Sequence, residues 1–183
     1  MSFLKKRSTR FYLGGFLLMM LALWWSAIPA FADSGGATAT VNAGALSEAG
    51  TFGQSVSVTL NGLDQFVPYK LPVQVTDATG SGAGWNLQIS GTPLADSKGH
   101  TLTQQVQLTA FVGCAPGSSC TPPGPPVGPS VVITGTPQRF FSAFPATGMG
   151  SMNLISLVLV QVPGNAFAGI YTTTLTLAAA SGP

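Results

Sequence analysis

Charge is the scarcest commodity in this chain. Aspartate, glutamate, lysine and arginine together make up 7% of its 183 residues. Four of the seven basic residues, Lys5, Lys6, Arg7 and Arg10, crowd the N-terminus. Past residue 32 only Lys70, Lys98 and Arg139 remain, against Asp33, Glu48, Asp64, Asp77 and Asp96. Three scattered cations give no electrostatic footprint for nucleic acid, and the same sparseness excludes charge-driven attachment to anionic lipid. Titratable chemistry is equally thin. The one histidine, His100, sits in "DSKGHTL", where Gly99 marks a turn, and reads as an exposed loop residue. Asp96 lies close to it in sequence, yet no serine occupies a G-x-S-x-G elbow, so a nucleophilic triad lacks its first member. Asp64, Asp77 and Asp96 fall in separate turns, which gives no carboxylate pair for sugar cleavage. Two cysteines are too few to hold zinc. The "GSGAG" run fails the dinucleotide pattern, because Trp85 stands where the third glycine is needed and no helix follows. The expectation is a protein with no catalytic residue, no metal and no cofactor.

What is present begins with a long apolar run. The basic start is followed by "FYLGGFLLMMLALWWSAIPAFA", closing on Ala30-Phe31-Ala32 after Pro29. Basic head, apolar middle and a small-x-small end are the parts of a secretory signal peptide, with cleavage expected before Asp33. The competing reading is an uncleaved anchor, since about 18–20 apolar residues approach spanning length; the A-F-A end favours cleavage. Residues 1–32 are therefore read as signal and 33–183 as one exported domain, secreted to the cell surface or wall, with no membrane contact once the signal is gone. A mature chain of about 150 residues is long enough to bury its own core.

Beyond the signal, period two dominates. "SVSVTL" sets Val56, Val58 and Leu60 against Ser55, Ser57 and Thr59. "LPVQVT" repeats the pattern, with Pro72 suggesting an edge or a strand start. "GWNLQIS" sets Trp85, Leu87 and Ile89 on one face. "TQQVQLTAFV" alternates Val106, Leu108, Ala110 and Val112 against Gln105, Gln107 and Thr109. "SVVITG" and "LISLVLVQV" are more continuously apolar, as strands covered on both sides would be. "GIYTTTLTLAA" places Tyr171, Thr173, Leu175 and Leu177 together. Seven or more such strands, without helical periodicity or internal repeats, predict an all-β antiparallel sandwich, immunoglobulin-like in general architecture.

The segment from 113 to 130, "GCAPGSSCTPPGPPVGPS", is too rich in proline to join a ladder and reads as a semi-rigid surface loop inserted in the domain. Cys114 and Cys120 both lie in it, and in an exported chain they are expected to form a disulfide that ties down the loop base.

The stretch "TDATGSGAGW" leaves two readings open for its tryptophan. Asp77 is expected to make an Asx turn, and Gly80, Gly82 and Gly84 to permit positive φ. Trp85 is then either a core anchor, the favoured reading, or a ring exposed for sugar stacking.

These residues resemble a known family. "GALS", then "VTDATGSGAGWNLQIS", then "VPGNAFAGIYTTTLTLAAASGP" are similar in order to the WxL domain of Gram-positive surface proteins, with Trp85-Asn86-Leu87 as the W-x-L element and Gly169 to Thr176 as the C-terminal element. One difference is that no tryptophan follows Trp85. The resemblance implies a stand-alone domain that attaches non-covalently to peptidoglycan or another wall glycan, with Trp85, Leu87 and Tyr171 as binding residues and Asp77, Gly82 and Gly84 shaping the loop. A second possibility is a structural subunit of a surface layer or fibre, pairing with itself or other surface proteins along strand edges.

Overall fold

The computed structural model describes residues 39–124 and 129–183. The signal segment, 1–32, and residues 125–128 of the proline-rich loop lie outside the described residues.

Nine strands form among the described residues: β1 (Leu46–Gly50), β2 (Gln65–Asp77), β3 (Trp85–Gly91), β4 (Leu94–Ala95), β5 (Thr101–Cys114), β6 (Val131–Val132), β7 (Gln138–Ala143), β8 (Gly150–Val162) and β9 (Leu175–Ser181). Every pairing is antiparallel. The larger sheet runs β1-β2-β8-β5-β4, with β6 also on β5, and the smaller runs β7-β3-β9. No helix occurs among the described residues. The chain is an all-β antiparallel sandwich.

Alternation sets the core. β2 and β8 pair without a slip from Gln65↔Val162 to Asp77↔Gly150. Val73 and Val75 thereby face inward beside Met152, Leu154 and Val158, against Trp85, Leu87 and Ile89 of β3 and Phe140 and Phe141 of β7. Fully burying a side chain of this kind contributes ~1.5–3 kcal/mol. A smaller cluster of Leu94, Val160 and Val162 lies at the other end of the large sheet, with Tyr69, Leu102 and Tyr171 against it.

The pairing departs from the sequence expectation in four places. "SVSVTL" joins no ladder: residues 51–60 run as exposed chain outside any strand. In the C-terminal run only residues 175–181 form a strand, and Tyr171 to Thr174 are reduced to an isolated bridge between Thr172 and Ala95. Pro72 lies within β2 rather than at its start. β1 pairs only with residues 73–77, and opposite Pro72 the Thr51 amide donates to the Pro72 carbonyl at 2.9 Å. Pro72 has no N–H to return that bond, so the ladder with β1 stops there. Finally, bulges between Leu108 and Ala110 and between Phe111 and Gly113 shift the phase of β5. A one-residue slip exchanges faces, so Phe111 packs on the core while Val112 stands 60% exposed.

β8 keeps strict alternation despite its apolar run. Its even-numbered residues from Met152 to Val162 are buried, while Ile155, Leu157 and Leu159 are only half-buried. Continuous apolarity here marks the central strand of a sheet, not a strand with both faces fully covered.

Candidate functional site

The two ends of the sandwich carry different chemistry. At one end, β2 finishes on Asp77 and the chain turns into β3. Asp77 is buried, and its Oδ1 accepts from the Thr79 amide at 3.0 Å and the Thr79 hydroxyl at 2.6 Å. The relay continues: Thr79 Oγ1 accepts from the Ser81 amide (3.3 Å), and Ser81 Oγ from the Ala83 amide (3.2 Å). Short polar side chains thus satisfy a turn that has no ladder partner. Gly82 and Gly84 carry φ of 63° and 78°. At Gly84 glycine is doubly required, since a Cβ would also strike the carbonyl oxygen of Ala143.

The turn delivers Trp85 into the core. The residue is 0% exposed, its ring lies 5.7 Å from that of Phe141, and its Nε1–H donates to the Gly148 carbonyl at 2.8 Å. A buried indole needs such a partner. Gly148 passes so close beneath the ring that a Cβ there would sit 2.5 Å from Trp85 Nε1. Leu87, two residues on, is likewise 0% exposed. Of the two readings of Trp85, the structure takes the core anchor. No face of that ring is open to a sugar.

The disulfide ring closes the same end. Cys114 and Cys120 are bonded, and the ring they close binds the chain that carries the indole acceptor. Ala115 N–H donates to Ser151 O (2.9 Å), Ser151 N–H to Ser118 Oγ (3.0 Å), Thr121 N–H to Met149 O (2.8 Å) and Gly148 N–H to Thr121 O (3.0 Å). The loop base is therefore a brace for residues 148–151, a role that composition alone did not reveal.

The opposite end is open. Among the described residues, the short β9 leaves the inner face of β2, β5 and β8 covered there by segments 51–60 and 166–174, and between them lies a cleft of about 940 Å³. Its floor is apolar, with Val67, Leu94, Leu102, Val160 and Val162, and among the described residues that line it none is charged. One amide crosses the floor: Gln104, 3% exposed, donates from Nε2 to Thr173 Oγ1 (3.2 Å) and accepts from the Tyr69 hydroxyl at 3.5 Å. Burial pushes the Tyr69 phenol above its ordinary value, because the phenolate would lose its solvation.

Tyr171 lines this cleft and donates its hydroxyl proton to the Phe167 carbonyl at 2.9 Å. Phe167 itself is 63% exposed, with its ring stacked on His100 at 3.9 Å and 15°. His100 is thus not a free loop side chain. Its Nδ1 lies 2.7 Å from Asp96 Oδ2, while Asp96 Oδ1 accepts from the amides of Lys98 and His100. The Asp96 carboxyl is held below its ordinary range, first by the hydrogen bond to the His100 ring and further by those amides, against an opposing contribution from burial. Carboxylate and imidazole together hold a flat support for the Phe167 ring. Sequence reading missed Phe167; the signal that could have found it is an aromatic in a Gly- and Asn-rich loop that offers no strand to bury it.

The six residues singled out in the sequence therefore divide. Asp77, Gly82, Gly84, Trp85 and Leu87 meet at the braced end, and Tyr171 stands at the open end beside Phe167 and His100. Among the described residues no group of three or more His, Cys, Asp and Glu side chains is placed to hold a metal ion.

A helix-free sandwich, with a locked tryptophan turn at one end and an uncharged cleft with an exposed aromatic at the other, is the frame of a binding module. A family profile described as WxL domain, surface cell wall-binding, matches residues 38–179, and the chain belongs to that family. It is a cell-surface, cell-wall-associated domain, and the Trp-x-Leu triplet within the matched span, Trp85-Asn86-Leu87, opens β3. No curated protein and no solved structure matches the chain significantly.

Proposed function

We propose that the chain is exported with removal of residues 1–32 and that the folded domain, 33–183, holds non-covalently to peptidoglycan, binding without turnover. The observation that carries the site of contact is the exposed Phe167 ring backed by His100 and placed beside Tyr171. The flat apolar face of a sugar packs on such a ring, and the neighbouring hydroxyls and amides suit its polar rim. The absence of charge along the cleft fits a ligand recognised by shape and hydroxyl chemistry. On this reading Tyr171 is a contact residue. Trp85, Leu87, Asp77, Gly82 and Gly84 act from a distance, by holding the sandwich that presents it.

Co-sedimentation with purified peptidoglycan sacculi tests both halves. The parent protein is expected to pellet with sacculi and to stay in solution without them. Losing one ring contact worth about 1–1.5 kcal/mol lowers affinity by roughly five- to tenfold, so Phe167→Ala should fall by that factor while W85F, which changes only the buried anchor, stays near the parent. Equal recovery with and without sacculi would sink wall binding. Unchanged binding by Phe167→Ala would move the contact elsewhere.

A further inference from the structure

Two segments with strand-like alternation lie outside the ladders, and both border the same cleft. Residues 51–60 form one wall. Their anchors lie at the ends, where Thr51 N–H donates to Pro72 O and Thr59 O accepts from Gln65 Nε2. Between them, among the described residues, the main chain from Phe52 to Val58 makes no hydrogen bond within the protein. The other wall is the stretch that leads into β9. Thr172 and Thr174 bond on one side only, to Ala95 and Thr92. In an extended chain alternate residues direct their N–H and C=O groups to opposite sides, so Tyr171 and Thr173 direct theirs away from that partner. β9 is itself the outermost strand of its sheet, with β3 on one side. The smaller sheet thus stops one strand short, over an apolar floor.

We infer that the cleft is a strand-acceptor site, taking an extended, uncharged peptide segment of another protein between residues 54–60 and the edge formed by Tyr171 to Leu175. Three observations fix the chemistry of the occupant. Unspent main-chain groups on the walls call for a ligand that offers N–H and C=O at strand spacing, which an acyl chain does not. The floor residues Val67, Tyr69 and Leu71 recur at period two on β2, and Val160 and Val162 on β8, so the occupant presents an apolar side chain at every second residue. The lining holds no counter-charge, so a charged side chain pointing inward would be buried unpaired. Seven residues, 54–60, span ~23 Å at the rise of a strand, and the occupant has that length. Such an edge carries none of the lysines or prolines that block strand addition: no charged residue and no proline occurs from Thr51 to Leu63. This site goes beyond wall binding and does not rest on it, because the sacculus assay and the assay below can fail separately.

The probe is a blocked synthetic peptide of seven alternating valine and threonine residues, flanked by lysines for solubility, titrated into the purified protein with fluorescence anisotropy as readout. Saturable binding is expected. It should weaken at least tenfold when alternate peptide nitrogens are methylated, and at least tenfold in the V58K variant, which places a charge on the cleft wall. V112K, a lysine at an exposed position of β5, should bind like the parent and shows that added charge alone is not the cause. Absence of saturable binding overturns the proposal, as does equal affinity for the methylated peptide. Competitive displacement by phosphatidylcholine vesicles would assign the cleft to an acyl chain instead. A dimer in sedimentation that V58K abolishes would seat a second copy of this chain there and overturn the assignment to another protein.

Discussion

Ser156 lies at the centre of β8, opposite Leu71 on one neighbour and Leu108 on the other. It is 0% exposed, and its Oγ has no hydrogen-bond partner among the described residues. A buried hydroxyl left unpaired costs ~1–3 kcal/mol, and removing it forfeits little packing. Ser156→Ala is therefore expected to stabilise the domain by about 1 kcal/mol, a rise in Tm of roughly 2–5 °C for a chain of this size, read by thermal melts followed by circular dichroism. A fall in Tm would show that the hydroxyl has a partner in solution. The opposite case is Trp85, whose polar atom is satisfied by Gly148 at 2.8 Å. Both facts hang on a single backbone or side-chain atom. Neither is visible in an alternation pattern, which reports the face a residue occupies and not what its polar atoms meet there.

Strands and loops tell the same story one level up. Trp85, Leu87 and Ile89 are inward on β3 and Val73 and Val75 on β2, as the spacing of apolar residues predicts. The disulfide between Cys114 and Cys120 was legible too, from two cysteines in one loop of a chain that begins like an exported protein. Its use as a brace on residues 148–151 was not, because those bonds join stretches about thirty residues apart. Replacing both cysteines by serine relaxes a ring of seven residues and is expected to cost about 2–2.5 kcal/mol by the loop-entropy estimate. Because the ring holds the chain that carries the indole acceptor, acrylamide should also quench Trp85 emission more in that variant than in the parent. Loss of stability with unchanged quenching would mean that the brace and the tryptophan clamp are independent.

At the scale of the whole molecule, sparse charge makes single ionic contacts count. The Asp96 carboxyl is lowered from its ordinary pKa of 3.8 by its partners. The folded state holds that proton less tightly than the unfolded chain. The stabilisation is therefore complete above pH 3.8 and is lost as pH falls through the lower folded value. Asp96→Asn keeps an oxygen for the amides of Lys98 and His100 but not the charge. The stability gap between parent and D96N, from urea unfolding, should shrink as pH drops below 3.8. A gap that persisted in acid would mean that packing around residue 96, not ionisation, sets the difference.

By itself the sequence determined the class of fold, the inward face of β2 and β3, the disulfide and the family, because period-two burial, cysteine placement and the W-x-L element are local in the chain, whereas the alternation of β8 is hidden by its continuous apolarity. Tertiary structure decided which strand-like segments obtain partners. "SVSVTL" and "GIYTTT" alternate as well as β3 does, yet the first joins no ladder and the second contributes one bridge, through Thr172. Alternation encodes only which side of a chain is apolar. Pairing also needs a neighbouring edge at hydrogen-bond distance, and that neighbour comes from a remote part of the chain. The cleft exists because at that end of the sandwich no such neighbour is supplied.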